Sequence, residues 1–174
     1  MVPLDTCLFA FILIFGMMGA LRGWSREILV LFSVVLALAM RLIFTEYVPI
    51  ARDFFNRPAE EQFYIYSGLI ILMAVGGYAG PAVSGRLARA GARETLQDVM
   101  LGFIIGAVNG FLIIGSIWYF LDGAGYELMG ITAPAADSMA AALASTYLPP
   151  VWLSDALLLT VFSFASVFVI IVLV

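Results

Sequence analysis

The sequence predicts an all-α fold, a polytopic transmembrane helix bundle. Of its 174 residues, 64% are hydrophobic and 11% are charged, whereas an ordinary soluble domain is about 45 to 50% apolar and about 25% charged. The apolar residues also lie in stretches of about 17 residues or more, which is the length of a helix that crosses a bilayer. A soluble domain folded around its own core is therefore excluded.

Five apolar stretches predict five spanning helices. Polar residues separate them, and at about 1.5 Å per residue each is long enough to cross a hydrocarbon core of about 30 Å. The stretches are residues 4–21, 28–44, 62–80, 99–121 and 155–174. The first is interpreted as a retained helix and not as a signal peptide, because no basic residue precedes it and Arg22 and Arg26 follow it.

Short polar motifs predict where two of these helices begin. Thr95 and Asp98 have the spacing of a capping box before the fourth helix. Ser154 is a candidate N-cap of the fifth helix, because its hydroxyl can accept a hydrogen bond from a free backbone N–H group there.

Two short helices are predicted between the spans. Residues 135–145 favour a helix that stops before Pro149 and Pro150, and this segment is expected to lie as an outer cap on the bundle. Residues 50–55 place apolar and charged side chains at helical spacing, which is typical of an interfacial turn of helix.

The arginines predict the orientation, because basic loops stay in the cytoplasm. The loops after the first and third spans contain Arg22, Arg26, Arg86, Arg89 and Arg93, and the loop after the second contains Arg52 and Arg57. This distribution predicts an amino terminus outside the cell and a carboxyl terminus in the cytoplasm.

The composition also argues against enzyme chemistry. The sequence has no histidine and no lysine, and its one cysteine, Cys7, lies in an apolar stretch. The residues that usually bind haem, pigments and metals are therefore almost absent, and so are the histidine or lysine that usually activate a serine nucleophile. We therefore expect no catalytic residue, no metal and no cofactor, with bound lipid as the one small molecule left open.

Glycines recur at helical spacing on the fourth and first helices. Gly102, Gly106 and Gly110 form a strip on one face of the fourth helix, and Gly16 and Gly19 form a shorter one on the first. Small residues let two helices approach closely in lipid, so helix packing is the favoured interpretation. The alternative is that the glycines leave room for a pore or a substrate.

Asn109 lies about halfway along the fourth span, beside the glycine strip. A buried amide without a partner costs about 1 to 3 kcal/mol, so Asn109 is expected to face protein. The favoured interpretation is a hydrogen bond between helices, because no ionisable residue accompanies it in the span. The alternative is a ligand to a transported substrate or ion at the midplane.

Arg41 is the one basic residue inside a predicted span. Counting along the first two helices from the turn between them puts Asp5 and Arg41 within about 5 Å in depth, so an ion pair between them is open. The alternative is an arginine that extends to the interface, where lipid phosphate or Glu46 binds it.

Two motifs resemble those of one family. Residues 22–27 read RGWSRE between the first two helices, and Asp98 leads into the glycine strip of the fourth. In order and separation these motifs resemble the colicin V production protein (CvpA) family over residues 1 to about 122. The resemblance implies a four-helix CvpA-like core in a bacterial inner-membrane protein linked to colicin secretion and envelope maintenance. Residues 123–154 form an outer segment and residues 155–174 a fifth, C-terminal helix beyond that core.

The turn motif has two interpretations. Its residues Arg22, Gly23, Arg26 and Glu27 lie at the predicted cytoplasmic interface, where they can bind lipid phosphate or the acidic groups of a partner. The alternative is an ordinary basic turn in which Glu27 begins the second helix.

These observations predict a non-enzymatic membrane protein that acts through protein–protein contacts. It would be an envelope or secretion scaffold or an accessory subunit of a larger membrane complex, with lipids and other membrane-protein subunits as partners and no nucleic acid. The alternative function is a small channel or transporter with a path along the glycine-rich fourth helix.

Overall fold

The computed structural model describes residues 3–79 and 96–173, and this part of the chain is helical with no strand. The helices are α1 (Leu4–Arg22), α2 (Trp24–Glu46), α3 (Pro49–Phe55), α4 (Ala59–Ala79), α5 (Leu96–Ala124), α6 (Met139–Thr146), α7 (Pro149–Trp152) and α8 (Asp155–Leu173), with a 3-10 turn at Tyr126–Met129. The predicted all-α fold is therefore confirmed.

Four helices, α1, α2, α4 and α5, are long and apolar enough to cross a membrane. They correspond to the first four predicted spans. The fifth predicted span is also a helix, α8, and its crossing of the bilayer stays a prediction. Thr95 of the predicted capping box lies outside the described residues, as do Arg86, Arg89 and Arg93.

A single residue, Gly23, makes the turn between α1 and α2. Its backbone has φ 84° and ψ 152°, a conformation open almost only to glycine, and its N–H donates to the Gly19 carbonyl at 2.9 Å. The turn predicted at residues 22–27 is therefore shorter than expected, because Trp24 to Glu27 already belong to the second helix. Because α2 begins at Trp24, Glu27 lies on the first turn of a spanning helix.

The glycine strip of α5 packs against α1, which runs antiparallel to it. A Cβ added to Gly19 would overlap the carbonyl oxygen of Gly102, and one added to Gly106 would lie 3.0 Å from the Gly19 Cα. A Cβ at Gly110 would lie 2.7 Å from the Phe15 Cβ. The glycines thus hold two backbones at a distance that no other residue allows, and the packing interpretation of the strip agrees with these contacts.

The other face of α5 packs with α2 and α4 around a buried core. Val30 and Val34 of α2, Ile70 of α4 and Leu112 of α5 are all 5% exposed or less. Helix α8 packs on the outer side of α2, where the rings of Phe32 and Phe162 stack with centroids 6.3 Å apart.

The segment between α5 and α8 differs from its prediction in two details. The short helix begins at Met139 instead of residue 135, because the Ser138 hydroxyl caps it by accepting from the Ala141 N–H at 3.2 Å. Pro149 begins α7, since proline is well suited to the first turn of a helix. The predicted cap of the last helix is confirmed, with the Leu157 N–H donating to Ser154 Oγ at 3.3 Å.

A tyrosine fixes the start of this segment to α5. The Trp118 indole N–H donates to the Tyr126 hydroxyl at 3.0 Å, and that hydroxyl donates to Asp122 Oδ1 at 2.7 Å. Burial, with a further contribution from Asp122, raises the pKa of the Tyr126 phenol to about 12 against the lowering effect of the Trp118 hydrogen bond. The phenol therefore remains a neutral donor near neutral pH.

The Asp5–Arg41 ion pair, one of the two interpretations left open for Arg41, is not formed in the structure. The guanidinium of Arg41 lies over the rings of Tyr66 and Phe120, at 5.6 and 5.7 Å from their centroids. Asp5 Oδ1 is buried without a hydrogen-bond partner among the described residues. Asp5 and Arg41 do not meet although their expected depths are similar, because Arg41 faces Tyr66 of α4 and Phe120 of α5.

Candidate functional site

Glu27 is a fully buried carboxylic acid at one end of the helix bundle, with 0% of its surface exposed. Placing a charged side chain in the apolar part of a membrane costs on the order of 2.5 to 3.5 kcal/mol on insertion scales, so such residues need partners and commonly have a function. The partners of Glu27 come from three other helices, and together they form the candidate site.

Asn109 of α5 is the closest of these partners and is also 0% exposed. Its side-chain amide donates to the Glu27 carboxylate at 2.9 Å, measured to Oε2, and to the Glu27 backbone carbonyl at 3.0 Å. The expectation that Asn109 faces protein is confirmed. The expectation that no ionisable residue accompanies it is wrong, because its partner is an acid 82 residues away in the sequence.

Arg22 and Tyr78 complete the cluster. Arg22 Nε lies 3.7 Å from Glu27 Oε1, and its guanidinium covers the Tyr78 ring at 4.4 Å from the centroid. The same guanidinium donates to the Tyr78 carbonyl at 3.2 Å, and the Tyr78 hydroxyl donates to Glu27 Oε2 at 3.4 Å. The cluster therefore joins α1, α2, α4 and α5.

Backbone geometry explains why these four side chains meet. The one-residue turn at Gly23 starts α2 early enough to place Glu27 on the face that also buries Val30 and Val34. The glycine strip holds α5 close to α1, and Asn109, the residue before Gly110, turns its amide toward Glu27 of α2. The site thus depends on small residues that make no polar contact themselves.

All three neighbours present N–H or O–H groups to Glu27, and a carboxylate is the group that accepts from several donors at once. Two buried acceptors, Glu27 Oε1 and Asn109 Oδ1, have no hydrogen-bond partner in the described ranges. With one acid and one arginine, the arrangement can hold a charge pair in an apolar environment. The described residues contain no cluster of three or more histidines, cysteines or acids that could hold a metal ion.

Two further residues of the predicted motifs are Arg26 of α2 and Asp98 of α5. Arg26 is exposed, and Asp98 lies in the first turn of α5. The prediction of a fully interfacial motif is therefore wrong for Glu27, which points into the bundle. Tyr78 was not predicted as a site residue, although a hydroxyl-bearing ring near the end of a span was a usable signal.

These features define a multi-pass helical membrane protein with a buried acid, amide, phenol and guanidinium cluster. The family model described as colicin V production protein matches residues 4–127, and the chain belongs to that family. The match includes α1, α2, α4 and α5 and so all four residues of the cluster. No curated protein and no solved structure matches the chain.

Proposed function

We propose that the protein acts without catalysis, through contacts with other membrane proteins, as an envelope or secretion scaffold or as an accessory subunit of a larger complex. The observation that supports this proposal best is a face of α4 with two exposed glycines, against which no described residue packs. Membership of the colicin V production protein family supports the envelope setting.

The open face of α4 contains Tyr64, Gly68, Leu72 and Gly76, each four residues from the next and each exposed. A Cβ added at Gly68 or Gly76 would meet no atom within 4 Å, whereas one at Gly77 would lie 2.8 Å from Ser33 Oγ of α2. Exposed glycines on a spanning helix let another helix approach closely, which is how helices associate in lipid. This face therefore suits a spanning helix of a partner protein.

The contrast with α5 supports contacts over transport. The α5 glycine strip is filled by α1, and Asn109 is closed off from solvent, so a solute path along that strip would require the two helices to separate. The channel or transporter alternative retains one favourable observation, the ionisable Glu27 beside Asn109.

The proposed setting is the bacterial inner membrane, with the amino terminus outside and the carboxyl terminus in the cytoplasm. The positive-inside distribution of the arginines supports this orientation. A membrane-impermeant thiol reagent tests it on a Cys7→Ser background, and it should label a cysteine placed at Gly125 and spare one placed at Ala92.

The test of the contact proposal is purification of the full chain from native membranes in mild detergent, followed by identification of the chains that co-migrate with it. Gly68→Leu and Gly76→Leu fill the open face of α4 and should release the partner. Gly123→Leu is the matched control, because it makes the same change at another helical glycine whose added Cβ meets nothing within 4 Å. Purification of the wild type as a lone chain would contradict the proposal, and so would retention of the partner by both α4 variants.

A further inference from the structure

Arg41 lies within the α2 span, and no anionic partner is found for it among the described residues. The described residues form two ion pairs, Arg22–Glu27 and Arg57–Glu61, and neither includes Arg41. Its guanidinium lies over the rings of Tyr66 and Phe120 and donates no hydrogen bond to a described residue. A guanidinium has five N–H donors, so its capacity for an oxyanion is unused.

Asp122 and Glu46 lie near Arg41 or near its ring contacts along the helices, and neither forms an ion pair with it. Asp122 lies two residues beyond Phe120 on α5, but its carboxylate accepts from Tyr126. Glu46 lies five residues after Arg41 at the end of α2 and is exposed, and its backbone carbonyl accepts from Arg52 at 3.0 Å. The positive charge of Arg41 is therefore uncompensated within the described protein, in a helix where an uncompensated charge is costly.

The two rings fix the position of the charge. Tyr66 is 3% exposed and donates its hydroxyl to the Phe55 carbonyl at 2.7 Å, and its ring lies 4.9 Å from that of Phe120. Arg41 itself is part-buried, and none of its nitrogens is an unpartnered buried atom. The guanidinium is thus held by cation–π contacts on the ring side while its donors stay accessible.

We propose that Arg41 is the centre of a binding site for a phosphate group, supplied by the headgroup of a lipid in the leaflet that contains the carboxyl end of α2. Arg41 lies five residues, about 7.5 Å, before that end of the helix, so its side chain reaches headgroup depth. The planar fork of donors matches a phosphate bidentately, and the added negative charge compensates the arginine.

Native mass spectrometry of the full chain in detergent tests the site with three probes: phosphatidylglycerol, diacylglycerol and inorganic phosphate. The wild type should retain phosphatidylglycerol over diacylglycerol. Arg41→Gln should weaken phosphatidylglycerol binding about tenfold, a loss of about 1.4 kcal/mol. Arg57→Gln is the control, because it removes another arginine whose side chain is 51% exposed and already paired with Glu61.

The measurement with inorganic phosphate distinguishes a lipid headgroup from free phosphate as the source of the bound phosphate group. Displacement of the lipid by inorganic phosphate at millimolar concentration would assign the site to the free anion, whereas no displacement assigns it to the lipid. Arg41→Lys retains the charge that the rings contact, and it should bind phosphatidylglycerol between wild type and Arg41→Gln. Equal retention of the two lipids by the wild type would overturn the proposal even if Arg41→Gln failed to fold, and so would unchanged binding in a folded Arg41→Gln.

Discussion

At the scale of single residues, the sequence predicted that Asn109 faces protein but did not predict the residue that it contacts. An amide in the middle of an apolar span had to face protein, because lipid offers no hydrogen-bond partner, and Asn109 does. Its partner was not predictable from local pattern, since Glu27 belongs to a motif rich in arginine and looked interfacial. The depth of Glu27 depended on a turn of one residue, and sequence spacing alone does not give turn length.

Arg22 and Arg26 provide a matched test of the cluster. Arg22→Gln removes the one cation within 4.0 Å of Glu27 among the described residues, whereas Arg26 is exposed. Because Arg22 is itself partly exposed, the expected loss is modest, about 1 to 2 kcal/mol of unfolding free energy.

Denaturant titration of the purified chain in one detergent measures both variants. Arg26→Gln should stay within about 0.5 kcal/mol of wild type. Equal effects of the two substitutions would mean that the pair with Glu27 contributes nothing.

At the scale of helices, the positions of the spans followed from hydropathy, and the contact between α1 and α5 followed from glycine spacing. The pairing of those two particular helices did not, because α4 also contains glycines and leaves Gly68 and Gly76 open. Whether a glycine strip packs against another helix of the same chain depends on the shapes of the opposing helices. The spacing of glycines in the sequence does not give those shapes.

The packing of α1 on α5 predicts a strong effect of Gly106→Leu. Atoms of the α1 backbone, the Phe15 carbonyl oxygen and the Gly19 Cα, occupy the space of the new side chain. Backbone cannot rotate away as a side chain can, so the helices must separate, and the expected cost is about 3 kcal/mol or more. Thermal unfolding in detergent measures it, with Gly123→Leu as the control of equal size. Similar melting of the two variants would show that the strip is not a tight contact.

At the scale of the whole molecule, α2 links several helices of the bundle and holds two charged side chains. It contacts α4, α5 and α8, and it places a carboxylate, Glu27, and a guanidinium, Arg41, on bundle-facing positions fourteen residues apart, about 21 Å along the axis. The two charges therefore act as separate sites near opposite ends of one helix. Asp5, whose sequence position left a pair with Arg41 open, belongs to neither.

The central claim is that Glu27 and Asn109 form one coupled polar contact that holds α2 to α5. A double-mutant cycle tests it most directly, with the unfolding free energies of wild type, Glu27→Gln, Asn109→Leu and the double variant measured in the same detergent. The contact predicts a coupling of about 1 to 3 kcal/mol, because Asn109→Leu removes the hydrogen bond that the amide donates to the buried Glu27 carboxylate, whereas after Glu27→Gln no carboxylate is left to accept it. Additive effects within about 0.3 kcal/mol would contradict the claim.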